Sequence, residues 1–117
     1  MEPSREEQDR RRWFDWYVAQ LDKSLAHLPS GNGPFPCPCC GCRTLDQRAD
    51  YDICPVCFWE DDGQDEWDAD VVRGGPNGAL SLTQARANYL RIGACEERML
   101  PHVRAPNPQE RPRELPT

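Results

Sequence analysis

The stretch CPCCGC, from Cys37 to Cys42, places four cysteines within six positions of the chain. Two overlapping C-x-x-C pairs can be read in it, so another part of the sequence must identify the thiols that act together. The segment CPVC, from Cys54 to Cys57, repeats a pattern of cysteine first and fourth with proline second. This repeat selects the pair that begins at Cys37 and ends at Cys40, and joins it to the CPVC pair.

Two C-x-x-C pairs of this kind can enclose one tetrahedral ion, because each pair presents two thiolates from a tight turn. We therefore predict that the metal ligands are Cys37, Cys40, Cys54 and Cys57. Gly41, directly after the first pair, suits the positive φ that such a turn often requires. The expected metal is Zn²⁺, and a rubredoxin-like iron centre is the alternative, since four thiolates suit both metals.

The three other cysteines are predicted to be bystanders. Cys39 occupies a middle position of its turn, where the side chain should point away from the metal, and Cys42 can begin a strand. Cys95 lies between a predicted helix end and two glutamates, and both neighbours disfavour the thiolate that a reactive cysteine needs. Unmetallated thiols or two disulfides are a further interpretation of the paired cysteines, but a reducing cytosol disfavours disulfides.

The chain of 117 residues has a formal net charge of −6, and the charge is concentrated in its middle. Residues 34–97 hold twelve acidic and five basic residues. This segment should repel phosphate backbones, so nucleic acid is not an expected partner. The sequence shows no signal-type apolar run and no apolar stretch long enough to span a bilayer. We therefore expect no membrane association and a cytoplasmic location.

The sequence divides into three segments. Residues 1–33 are predicted to hold an amphipathic helix over residues 4–28 and a linker, and the helix is expected to pack on the chain's own core. Residues 34–98 form a cysteine-rich domain. Its few large apolar side chains would rarely stabilise a fold of this size, so a bound metal is expected to hold it together. Residues 99–117 are rich in proline, which predicts a disordered or extended tail.

Two short strands and one helix are predicted within the cysteine-rich domain. Arg43–Asp46 and Tyr51–Ile53 are candidates for a hairpin joined by QRAD. The helix follows Ser81, an N-cap with Gln84 in the capping-box position, and stops at Gly93. The predicted fold class is thus a small, metal-stapled α+β domain. Its zinc-ribbon-like β-hairpin lies between an N-terminal helix and a capped C-terminal helix.

The acidic run WEDDGQDEWDAD, at residues 59–70, mixes aromatic and carboxylate side chains. Its simplest interpretation is a solvated acidic face. Aromatic residues among acids also suit a surface that binds a basic, partly apolar protein partner, whose identity the sequence does not give. The residues predicted to form this surface are Phe58, Trp59, Glu60, Asp61, Asp62 and Trp67.

No catalytic residue is predicted. Four thiolates close the coordination shell of zinc, whereas a catalytic zinc keeps one position open for water. His27 and His102 have no motif partner that would make either a general base. The favoured function is a non-catalytic, intracellular zinc-binding module that contacts another protein. The alternative is an enzyme, either a hydrolase that uses the acidic run or a thiol redox protein that uses the spare cysteines.

Several strings of the sequence occur in a characteristic order between residues 34 and 98, namely FPCPCCG, YDICPVCFWEDD, GGPNG and SLTQARANYLRIGACEE. In this order they resemble the cysteine-rich CPCC family of small bacterial proteins. The resemblance implies a zinc-ribbon-like site, with the WEDD segment and the capped helix in the same domain, and it implies no assigned reaction. Similar sequences often have an aromatic residue at the position of Cys42, so the resemblance does not require that cysteine.

Overall fold

The computed structural model describes residues 4–24 and 34–112, without the side chains of residues 20–24. Within this part of the chain the architecture is a small α+β fold with one two-stranded antiparallel sheet. None of the helices there has the length and apolar character that a bilayer crossing requires. The elements are α1 (Arg5–Ser24), β1 (Phe35–Pro36), β2 (Arg43–Leu45) and α2 (Leu82–Ile92), with short 3₁₀ helices at Glu66–Asp68, Gly75–Asn77 and Glu97–His102.

The first cysteine turn, residues 37–42, is the loop of a β-hairpin. β1 pairs antiparallel with β2, and the N–H of Cys37 donates to the carbonyl of Cys42 at 2.8 Å. The prediction that Arg43–Asp46 pairs with Tyr51–Ile53 is therefore wrong, although β2 does lie in the first of these segments. The pairing differs because the tight turn itself brings its two flanks together, so β2 finds its partner just before the turn.

The second cysteine turn, residues 54–59, is closed in a similar way. The N–H of Cys54 donates to the carbonyl of Trp59 at 3.0 Å. Ile53 and Glu60, which flank the turn, form an isolated antiparallel bridge. The predicted strand at residues 51–53 thus pairs with the acidic run and not with β2.

Helix α2 has the ends that the sequence predicts. The Ser81 hydroxyl accepts the N–H of Gln84 at 3.0 Å. Gly93 adopts a left-handed φ of 88° and donates its N–H to the carbonyl of Tyr89. The capping box is only half formed, because the Gln84 amide donates to Asn88 and not back to the cap. These local bonds explain why the bounds of α2 could be predicted closely.

Helix α1 packs on the chain's own core, as predicted. Phe14 and Tyr17 are buried. The Arg10 guanidinium donates to the carbonyls of residues 90–91 at 3.4 and 3.3 Å, where it satisfies groups that the last turn of α2 leaves unpaired. The end of the predicted helix, at residues 25–28, lies outside the described residues.

All seven cysteines are buried, and together they form one core with a few larger side chains. The fully buried partners in this core are Leu45, Val56, Trp59, Leu82, Ala85 and Tyr89. Because seven of the thirteen buried residues of this core are cysteines, sulfur takes the place of many aliphatic groups there.

The C-terminal strap, residues 103–112, folds back onto β2. The N–H of Arg43 donates to the carbonyl of Glu110 at 2.7 Å, and the Glu110 carboxylate accepts two bonds from Arg104 at 2.7 and 2.9 Å. Of the two predicted states of the tail, the disordered one is therefore wrong for residues 99–112, and residues 113–117 lie outside the described residues. Prolines disfavour α-helix and inner strand, but they permit the 3₁₀ helix that contains Pro101 and a strap that donates few N–H groups.

Gly41 lies where helix α1 crosses the first cysteine turn. Its φ is +83°, and an added Cβ would lie 2.6 Å from Cγ of Tyr17. We expect Gly41→Ala to lower the free energy of unfolding by about 3 kcal/mol, because a left-handed φ and an overpacked contact both add cost. Equilibrium urea unfolding would measure the loss.

Gly93→Ala is the matched control for this substitution. Gly93 has a similar left-handed φ, +88°, but an added Cβ there would meet only the flexible end of the Arg10 side chain, with Nη1 at 3.3 Å. Gly93→Ala should therefore lower the free energy of unfolding by only about 1 kcal/mol, mostly from the backbone. Equal losses in the two variants would contradict the close packing of α1 on the first cysteine turn.

Candidate metal centre

The four cysteines predicted as ligands converge at one buried point. The Sγ atoms of Cys37, Cys40, Cys54 and Cys57 all lie within 4.8 Å of one another. The Sγ atoms of Cys37 and Cys57 are 3.7 Å apart, and those of Cys40 and Cys54 are 3.8 Å apart. A tetrahedral ion with bonds of about 2.3 Å to sulfur separates its ligand atoms by about 3.8 Å. The four thiols are thus positioned to hold a metal ion.

The same distances exclude disulfide bonds within the cluster. A disulfide requires sulfur atoms about 2.05 Å apart, and each of the seven cysteines is a free thiol. Both of the close sulfur contacts also join one cysteine turn to the other. The cluster therefore links two hairpin loops, which is how a single ion can staple distant parts of the chain.

The two cysteine turns share one backbone design. The N–H groups of Cys39 and Val56, each two residues after the first cysteine of its turn, donate to the sulfur of that cysteine at 3.4 Å. The N–H groups of Gly41 and Phe58, each four residues after that cysteine, donate to its carbonyl at 2.7 and 2.8 Å. Both of these later residues have a positive φ. The repeat of CPxC in the sequence is thus a repeat of structure.

Phe58 has a strained backbone conformation in the second cysteine turn. Its φ is 68°, in a region that bulky residues rarely adopt. The ring stacks on His102, with the centroids 5.1 Å apart. Glycine supplies this backbone conformation in the first turn, so the turn geometry and not the residue type sets the φ. Phe58 was predicted to face a partner, but it is half-buried and packs against the 3₁₀ helix that precedes the strap.

Hydrogen bonds to sulfur supply part of the charge compensation that thiolates need. The hydroxyl of Thr44 donates to Sγ of Cys54 at 3.0 Å, and the N–H of Cys42 donates to Sγ of Cys40 at 3.4 Å. Burial also raises the pKa of Cys54, but hydrogen bonds from the neighbouring cysteines and Thr44 outweigh it and bring that pKa well below its usual range.

The other three thiols of the cluster resist ionisation. Burial, as the largest cause, raises the pKa of Cys37, Cys40 and Cys57 well above the usual value for a thiol. Four thiolates at this spacing would repel one another strongly in a dry core. A divalent cation at the centre would supply the charge that hydrogen bonds alone do not.

The spare cysteines contribute packing and backbone groups. Cys39 and Cys42 are fully buried, and their N–H groups point at ligand sulfurs as described above. Cys95 is also buried, its N–H donates to the carbonyl of Cys57 at 2.8 Å, and burial raises the pKa of its thiol. All three lie outside the group of four converging thiols, and their role as bystanders stays a prediction.

The acidic run does not form the surface that the sequence predicted. Trp59 and Asp61 are fully buried, so their placement on a partner-binding surface was wrong. Glu60 and Asp62 are half-buried, and Trp67 is exposed over 78% of its surface. Trp59 turns inward because residues 59–61 form the returning side of the second cysteine turn, where alternate side chains face the core.

A buried ion pair holds this returning side in place. The Asp61 carboxylate accepts bonds from Arg48 at 2.8 Å, from the N–H of Ala49 at 2.7 Å and from the N–H of Gly63 at 3.1 Å. Arg48 also donates to Asp65 at 3.0 Å. Burial opposes the charge on Arg48, but the hydrogen bond and the charge of Asp61 outweigh it and raise the pKa of the guanidinium.

Two side-chain amides also brace the site, and sequence reasoning missed both. The Asn77 amide accepts the N–H of Glu60 at 3.2 Å and donates to the carbonyl of Glu60 at 2.8 Å, as a neighbouring strand would. The buried Gln64 amide donates to the carbonyls of Asp68 and Val71 at 3.0 and 2.6 Å. The GGPNG string signalled a turn at Asn77, but nothing in it signalled a bond to a strand 17 residues earlier.

Comparison with known proteins agrees with this site. The family model described as Cysteine-rich CPCC matches residues 35–110, which include both cysteine turns, α2 and most of the strap. The match covers more than half of the 117 residues and extends beyond residue 98, where the resemblance in the sequence was taken to end. No curated protein and no solved structure gives a significant match. The chain belongs to the cysteine-rich CPCC family.

Proposed function

We propose that the chain is a small intracellular protein with a structural Zn²⁺ site of the zinc-ribbon type. The observation that carries this proposal is the convergence of four buried sulfur atoms within 4.8 Å, two pairs of which have the separation expected for an edge of a tetrahedral zinc site. Cys37, Cys40, Cys54 and Cys57 would hold the ion. When bound, the ion supplies positive charge and four fixed bonds that join the two cysteine turns.

A structural role fits the donor set better than a catalytic one. Catalytic zinc sites keep a position for water, and four thiolates leave none. Zinc is proposed over iron because closed sites with four cysteines most commonly hold structural zinc, although the sulfur spacing suits both ions. A cytoplasmic location fits the free thiols, since that compartment keeps cysteines reduced.

We further propose that the stapled domain is a non-catalytic module that contacts another protein. A hydrolase that uses the acidic run needs carboxylates open to substrate, whereas Asp61 is buried and accepts three bonds from its own chain. A thiol redox protein needs an accessible cysteine, whereas all seven are buried. A contact role draws support from the exposed apolar side chains, of which Trp67 is the largest.

Native mass spectrometry of the protein purified from its source cells tests this proposal. We expect one zinc ion per chain, lost in Cys54→Ala and retained in Cys39→Ala. The two variants are matched, since each truncates a fully buried thiol of the same core and only one removes a ligand. Retention of zinc by Cys54→Ala, or an equal loss of zinc in both variants, would contradict the proposed ligand set.

A further inference from the structure

The segment from residue 65 to residue 72, here named the tryptophan loop, is built from polar contacts. Asp65 accepts the N–H of Glu66 at 2.9 Å, and its own N–H donates to Asp68 at 2.8 Å, so the two acids form a capping box at the start of the short 3₁₀ helix. Beneath the loop, the Gln64 amide holds two of its carbonyls. Arg73 donates to the Asp68 carboxylate at 2.5 Å and closes the far side.

The tryptophan loop presents three apolar side chains to solvent, beside the exposed acids Glu66 and Asp70. Trp67 is 78% exposed, which is the largest fraction among the exposed large hydrophobic residues of the described chain. Val71 and Val72 follow within the same loop at 48% and 53%. Trp59 is part of the buried core, whereas none of these three side chains belongs to it. Single exposed apolar residues need no explanation, but three of them on one braced loop indicate a contact site.

A preorganised loop of this kind has the properties of a binding hot spot. Tryptophan is enriched at such sites because its large ring contributes contact area at low cost in conformational entropy. The hydrogen bonds beneath the loop have already fixed its backbone, so a partner would not have to order it.

The charge around the loop selects the kind of partner. Residues 60–72 carry seven carboxylates, whereas the arginines bonded to them are Arg48, Arg73 and Arg86. Together these groups leave a net charge of −4 on the segment that contains Trp67, here named the acidic rim. Such a rim attracts lysine and arginine, and an arginine can also stack on an indole face.

We propose that the tryptophan loop docks a basic segment of a partner protein, with apolar side chains packed on Trp67 and lysine or arginine facing the acidic rim. This proposal rests on the interaction role proposed above, and it gives that role a surface and a partner chemistry. It keeps Trp67 from the contact surface predicted from the sequence, and it replaces residues 58–62, which mostly serve the fold, with Val71 and Val72.

Selection of short random peptides displayed on phage against the zinc-loaded, full-length protein tests the proposal. We expect the enriched peptides to combine lysine or arginine with large apolar residues. Their affinity should fall about tenfold or more in Trp67→Ala and should also weaken as salt rises. Trp67→Ala should leave zinc content and circular dichroism unchanged, because the side chain is mostly exposed.

Leu100→Ala is the matched control, since Leu100 is another exposed apolar residue, on a different 3₁₀ helix. It should leave peptide affinity unchanged. The proposal is overturned if no peptide is enriched, if the peptides bind Trp67→Ala as tightly as the wild type, or if peptide binding requires only basic residues and no apolar ones. A Trp67-dependent dimer in sedimentation would also overturn it, because the loop would then serve a second copy of the chain.

The outcome for zinc is separate from the outcome for the loop. If peptide binding depends on Trp67 but the purified protein contains no zinc, the docking site is supported and the structural zinc site is overturned. If the protein contains one zinc ion per chain but no peptide binding depends on Trp67, the zinc site is supported and the docking site is overturned.

Discussion

Removal of the metal by a strong chelator under reducing conditions should unfold the segment from Cys37 to Cys57 and release α2 from the core. Binding of structural zinc contributes roughly 10–16 kcal/mol to folding in small domains, as much as the whole stability of a typical one, about 5–15 kcal/mol. The sulfur-rich core has little hydrocarbon with which to replace that contribution.

Helix α2 should not persist alone after metal removal. It has 11 residues, and an isolated helix of fewer than about 12 residues is marginal in water even with good caps. Its buried face consists of Leu82, Ala85 and Tyr89, which all pack on the cysteine core. Loss of that core therefore removes what holds the helix.

Hydrogen exchange with mass spectrometry, read on peptides that span residues 37–57 and 82–92, would measure this unfolding. Addition of zinc should restore protection in both segments. Cys39→Ala offers a control, since it should show the same zinc-dependent protection as the wild type. Protection that survives complete metal removal would contradict a metal-stapled fold.

Asp61→Asn should lower the free energy of unfolding of the zinc-loaded protein by about 3 kcal/mol. The substitution removes the charge that balances Arg48. The carboxylate now accepts hydrogen bonds from Arg48, Ala49 and Gly63. In the variant, the NH₂ group of the new amide would face at least one of these donors, and that hydrogen bond would be lost. Arg48 keeps its bond to Asp65 and some solvent exposure, so the loss stays at the lower end of the range for a broken buried pair.

Urea unfolding with free zinc held constant would measure the effect of Asp61→Asn. Asp70→Asn is the control, because Asp70 is exposed and accepts one bond from Thr83. Its effect should stay below about 0.5 kcal/mol. The hydrolase alternative predicts the opposite pattern, an intact fold with activity lost in Asp61→Asn. Unchanged stability in that variant would contradict the structural role of the carboxylate.

The sequence predicted best what short-range chemistry determines. The repeat of CPxC identified the four converging thiols, because each turn is built from bonds within five residues. The caps at Ser81 and Gly93 fixed α2 for the same reason. The positive φ at Gly41 followed from the turn that it completes.

What the sequence did not predict depends on contacts between distant residues. Arg48 lies 13 residues before the carboxylate of Asp61, and no periodic pattern marks the pair. Without that partner, the acidic run resembled a solvated face. The bond from Arg43 to Glu110 joins residues far apart in the chain, so the prolines alone suggested disorder where the structure has an ordered strap.

The most direct test of the metal centre is X-ray absorption at the zinc edge of the purified, full-length protein. We predict four sulfur neighbours of zinc at about 2.3 Å and no lighter ligand among its direct neighbours. A nitrogen or oxygen ligand to the zinc, or the absence of zinc from the protein, would contradict the proposed metal centre.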